Sequence, residues 1–148
     1  MKPNVVITIF SLLSILLITF HLTDDIVRGF EPGGLKNIFG VVILVMWLYG
    51  TLVLAERRSG LIIILLGSFL GTIVPVVHMT GAGLVGGKIA GTGGIFLWVW
   101  TLIALSVTAI FSVILSALGL WSLQRRQPRH STTRTLHAEM ISFQDEQD

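Results

Sequence analysis

The chain contains no cysteine, which excludes a disulfide framework, a thiol redox relay and any zinc or iron–sulfur centre built on thiolates. Charge is almost as scarce. Only 12% of the 148 residues are Asp, Glu, Lys or Arg, about half the roughly 25% of an ordinary soluble domain. All of them fall in connections or termini. A proton-coupled pump or transporter needs an ionisable group near mid-membrane, so the pattern argues against one. What the chain has in excess is apolar: 53% of its residues are hydrophobic. They are gathered into runs long enough to cross a hydrocarbon core about 30 Å thick, which takes roughly 20 residues of helix.

Four such runs predict an all-α integral membrane protein, with four transmembrane helices in an up-down-up-down bundle. The spans are read as 4–22, 38–55, 60–79 and 95–122, so residues 1–123 form one transmembrane domain and 124–148 a polar, flexible tail. Lys2 and Pro3 precede the first run, and no small-x-small cleavage site follows it, so it reads as an uncleaved first helix rather than a signal peptide. Thr23–Phe30 could start a short interfacial helix, with Thr23 as its cap. The turn Glu31-Pro32-Gly33-Gly34 then leads to the second span. Glu56-Arg57-Arg58-Ser59 is short enough to make spans two and three antiparallel neighbours, and Pro75 is expected to kink the end of span three.

Between Gly81 and Gly94 the letters Gly81-Ala82-Gly83-Leu84-Val85-Gly86 match a dinucleotide fingerprint. The match is rejected, because that motif needs a strand before it and an acid about 20 residues later. A phosphate loop fails as well, since Lys88 is followed by Ile89. In the tail, Leu136, Met140 and Phe143 fall at spacing for one amphipathic helical face.

Topology decides which polar residues can meet. With four spans, Lys2, Arg57, Arg58, Arg125, Arg126, Arg129 and Arg134 share one side, against Arg28, Lys36 and Lys88 on the other. The positive-inside rule then places both termini in the cytoplasm, and a bacterial inner (plasma) membrane is the expected location. His21 and His78 both end spans on the outer side. Phe20-His21-Leu22-Thr23 and Val77-His78-Met79-Thr80 share an apolar-His-apolar-Thr pattern, as a parallel-type repeat would. If the first helix continues through Asp25, then His21, Asp24 and Asp25 stand at i, i+3 and i+4. An acid in register with a histidine can fix its tautomer or ligate a metal beside it.

The candidate metal ligands are therefore His21, Asp24, Asp25 and His78, with the Met79 thioether as a soft addition. His21 and His78 are the candidates for a cofactor. Copper or zinc, a haem held between two histidines, or a quinone carbonyl on an imidazole all suit that set. The bland alternative is an interface at which acids and histidines mark where lipid ends, because polar groups cost little there.

Three classes of function are compatible with this. A non-enzymatic module or accessory subunit would bind a partner or a second copy through Gly67/Gly71 and the stripe Ala104/Thr108/Ser112/Ser116, whose small residues allow close helix approach. A metal-, haem- or quinone-binding protein would use the histidines. A carrier or channel for an uncharged solute would use the glycine-rich loop as a lid. Arg125, Arg126 and Arg129 suit anionic lipid headgroups. So short a patch does not suit nucleic acid.

Overall fold

The computed structural model describes residues 3–31, 33–81 and 93–126, and among them every regular element is helical. The helices are α1 (Pro3–Val27), α2 (Ile38–Leu52), α3 (Arg58–Gly81) and α4 (Ile95–Arg126), and one 3₁₀ turn at Gly34–Asn37 leads into α2. Three of the four, α1, α3 and α4, are long and apolar enough to cross a membrane. The protein is thus a multi-pass membrane protein. α2 is shorter than expected. It stops at Leu52, and its 15 residues span about 22 Å at 1.5 Å per residue.

The reason is the reversal that follows. Arg57 N–H donates to the Leu54 carbonyl at 2.8 Å, and a Cβ on Gly60 would stand 1.8 Å from that carbonyl oxygen. The chain turns back so tightly that only glycine fits at the start of α3, and residues 53–55 are used in the turn. The other helices overrun their expected ends. α1 runs to Val27 rather than Leu22, so there is no separate interfacial helix. α3 passes through Pro75 without interruption, and α4 reaches Arg126. The glycine-rich loop from 82 and the tail from 127 lie outside the described residues, as do the side chains of Met79 and Arg126.

α4 packs along α3 and α1, while α2 lies mainly on α3 and meets α1 less closely. The seams are built from small and polar groups. Ser68 Oγ donates to Ser112 Oγ at 2.7 Å, Ser14 Oγ to Thr108 Oγ1 at 3.1 Å, and Trp47 Nε1 to Ser11 Oγ at 2.9 Å. Ser11 also shares a hydrogen bond with Thr51 at 2.7 Å. A Cβ on Gly67 would fall 2.4 Å from the Trp47 ring, and Gly71 lies beside Ala109 and Leu105. The glycine pair and the serine stripe are therefore spent on contacts within the chain.

The long aliphatic and aromatic side chains point outward. Phe39, Phe96, Leu66, Phe69, Phe111 and Ile114 are all exposed, whereas Ser11, Ser14, Ser68, Ser112 and Ser116 are buried. In water this arrangement would be inside out. In lipid it is the expected one, because helices there associate through close backbone approach and hydrogen bonds rather than through hydrophobic transfer.

Candidate metal centre

His21 and Asp25 are one helical turn apart on α1, and the unbroken run of that helix to Val27 turns both side chains into the bundle. The backbone carbonyl of Asp25 closes the helix end. It accepts from Phe30 N–H at 2.9 Å and from Glu31 N–H at 3.3 Å. Across the interface, α3 brings His78 to the same level. His21 Nε2 and His78 Nε2 are 3.2 Å apart, His78 Nε2 and Asp25 Oδ2 are 3.2 Å apart, and His21 Nε2 and Asp25 Oδ2 are 3.4 Å apart. Three potential ligand atoms from two helices thus form a nearly equilateral triangle.

The groups around the triangle set its chemistry. Trp98 Nε1 donates to Asp25 Oδ1 at 2.8 Å, which turns Oδ2 toward the histidines. His78 Nδ1 lies 2.9 Å from the Val74 carbonyl oxygen. A carbonyl only accepts, so Nδ1 carries the hydrogen and a neutral His78 presents a lone pair at Nε2. His21 Nδ1 faces Thr101 Oγ1 at a long 3.5 Å, and the Thr101 hydrogen is committed to the Trp98 carbonyl at 2.9 Å. That contact is too long to fix the His21 tautomer, and His21 Nε2 either donates a hydrogen toward Asp25 and His78 or presents a lone pair to them. With hydrogen on both Nδ1 atoms, two nitrogen lone pairs and a carboxylate oxygen would converge, a donor set that could hold a metal ion.

The spacing is compatible with a tetrahedral cation. Four ligands at about 2.0 to 2.1 Å around tetrahedral zinc stand about 3.3 to 3.4 Å from one another. Adjacent ligands around square-planar copper(II) would stand only about 2.8 to 3.0 Å apart. The observed triangle of 3.2, 3.2 and 3.4 Å is close to one face of the tetrahedron. A haem between the histidines does not fit. Its iron needs nitrogens about 4 Å apart with the ring plane between them, and 3.2 Å leaves no room.

Asp24 stands apart from the triangle. Its Oδ2 accepts from Arg28 Nε at 2.7 Å, and Arg28 Nη2 reaches on to the Gly93 carbonyl at 3.1 Å. That chain of contacts ties the end of α1 to the turn before α4. Trp98 and Thr101 are the site residues that sequence reasoning missed. Trp98 reads as an interfacial aromatic. The available signal was topological, since the first turn of α4 lies at the same end of the bundle as His21 and His78.

Beside the triangle, between α1, α2 and α3, opens a cleft of about 350 Å³. Ile18, Leu22, Ile43, Leu44, Leu70 and Ile73 wall it, and Trp47 lies at its inner end. All three triangle residues border it, as does Glu31. Comparison with protein families, with curated proteins and with solved structures finds no match to this chain.

Proposed function

We propose that this multi-pass membrane protein binds a divalent, zinc-like cation through His21 Nε2, Asp25 Oδ2 and His78 Nε2. The observation that carries the reading is the triangle of His21 Nε2, Asp25 Oδ2 and His78 Nε2, whose edges suit a tetrahedral centre and in which the Val74 carbonyl sets the His78 tautomer. Two neutral imidazoles and one carboxylate are the ligand types zinc favours in the absence of thiolate. Trp98 is the outer partner that orients the carboxylate, as such partners do around metal ligands.

Three protein ligands leave the fourth position of the tetrahedron exchangeable, which is the pattern of reactive rather than purely structural zinc. The excess of basic residues on the side of the termini supports an outward-facing site, at the non-cytoplasmic rim of a plasma membrane. The accessory-subunit reading loses its main support, because Gly67, Gly71, Ser112 and Ser116 are already occupied by neighbouring helices.

The test is zinc content and affinity of protein purified in detergent and loaded by dialysis. One equivalent of Zn²⁺ is expected for the parent. Asp25→Asn should weaken binding by more than the roughly 10–100-fold typical of outer-shell losses, and Asp24→Asn should leave it within about threefold, because its carboxylate faces Arg28. No stoichiometric zinc in the parent, or equal losses in both variants, would refute the proposal.

A further inference from the structure

The fourth coordination position and the cleft belong to one space, since His21, Asp25 and His78 all border the cleft that α2 closes on its other side. From Gly40 to Trp47 that space follows seven residues of α2, about 10 Å at the helical rise. Its walls are aliphatic, and its polar groups are gathered at the outer end. A molecule that fills it must be apolar along its body and carry one polar group at the metal.

Charge selects the polar group. A divalent cation brings two positive charges, and Asp25 and Glu31 at the same end bring two negative ones. Among the described lining residues there is no Lys or Arg, and Arg28 is engaged with Asp24 and Gly93. An anionic head would add a charge that no described lining residue neutralises, and an uncompensated charge in an apolar site is strongly disfavoured. A neutral oxygen donor adds none.

We infer that the cleft binds a lipid-soluble molecule with a neutral oxygen head group, a ketone-type carbonyl or an alcohol, whose oxygen takes the open position on the metal. This rests on the metal-binding reading above. The tail gains little by moving from lipid into an equally apolar cleft, so recognition resides in the oxygen–metal contact and in the fit.

The test uses the full chain in lipid nanodiscs with Co²⁺ in place of zinc, because the visible absorption of cobalt reports its ligands. Methyl undecyl ketone, dodecanol, dodecanoate and dodecane are added in turn. The ketone or the alcohol should move the band, and whichever moves it identifies the head group. Dodecane and dodecanoate should not.

Gly40 borders the cleft, and a Cβ there meets nothing nearer than Leu22 Cδ2 at 3.9 Å. Gly40→Phe should therefore fill the space without touching a ligand residue. It should retain cobalt while raising the concentration needed for the shift about tenfold or more. Bound cobalt whose band neither the ketone nor the alcohol moves would overturn this inference and leave the metal site standing. So would an equal response to dodecanoate, or a Gly40→Phe variant that responds like the parent. Failure of cobalt to bind at all would remove the metal reading itself, together with the inference that rests on it.

Discussion

Trp98→Phe isolates the outer shell of the candidate centre. The indole nitrogen donates to Asp25 Oδ1 at 2.8 Å, and both residues are buried. Phenylalanine keeps most of the ring packing against His21 and His78, whose centroids lie 5.4 Å from that of Trp98, and it removes only the N–H. A buried hydrogen bond to a charged acceptor contributes about 1.5–3 kcal/mol. Loss of an outer-shell partner lowers metal affinity about 10–100-fold, or about 1.4–2.7 kcal/mol. The two estimates agree in size, and the variant should bind zinc about 10–100-fold more weakly in a competition titration against a chromophoric chelator.

Thermal unfolding gives a second readout. Zinc at a hundred times the parent dissociation constant stabilises the parent by about 2.7 kcal/mol, and the same concentration should stabilise the variant by only about 0.4–1.4 kcal/mol. Trp100→Phe is the control, because Trp100 is exposed on the outer surface of α4. A Trp98→Phe affinity within about twofold of the parent would show that the indole does not position Asp25 for a metal.

Three further predictions test the frame around the site. Gly67→Ala places a Cβ 2.4 Å from a Trp47 ring that is held by its hydrogen bond to Ser11, so it should cost about 1–3 kcal/mol in denaturant unfolding. Gly40→Ala, with its nearest neighbour at 3.9 Å, should be neutral or slightly stabilising. Because the chain has no native cysteine, the pair Ser68→Cys and Ser112→Cys should oxidise to one intramolecular disulfide, since the hydroxyl oxygens they replace are 2.7 Å apart. The gel-mobility shift should disappear with reductant, and purely intermolecular products would contradict the α3–α4 seam.

Helix count and helix identity were legible from hydropathy because each run is bounded by turn residues or charge. Exact ends were not. Val53, Leu54 and Ala55 read as more helix by composition, yet the reversal ahead of Gly60 takes them for the turn. α1 outran its apolar stretch for the opposite reason. Asp24 and Asp25 look like the start of an interface, but Asp24 is paired with Arg28 one turn on and Asp25 is covered by Trp98 and His78. The helical spacing of His21 and Asp25 was visible in the chain. The approach of His78 and Trp98 was not, since helix order in a bundle depends on which small-residue faces meet. Here they meet through Ser68–Ser112 and Trp47–Gly67.

What remains is which positive species the triangle serves. A buried carboxylate costs several kcal/mol unless it is compensated, and the Trp98 N–H serves only its Oδ1. Either a proton or a metal ion could supply the charge. A proton lies on the line between two atoms and leaves the third unserved, whereas a metal ion sits about equally far from all three. The near-equality of the three edges favours the second arrangement.

The two cases differ in how losses combine. If a proton bridges His78 and Asp25, His21→Leu should leave that pair largely intact, and the losses from His21→Leu and His78→Leu should add separately in unfolding free energy. If a metal occupies the centre, either substitution alone should abolish most of the zinc-dependent stabilisation, and the double variant should lose hardly more, giving a coupling of about 1–3 kcal/mol. Unfolding of the four proteins with zinc and with chelator decides between them: additive losses, unchanged by chelator, would mean that the triangle is a proton-bridged pair with a neighbouring imidazole.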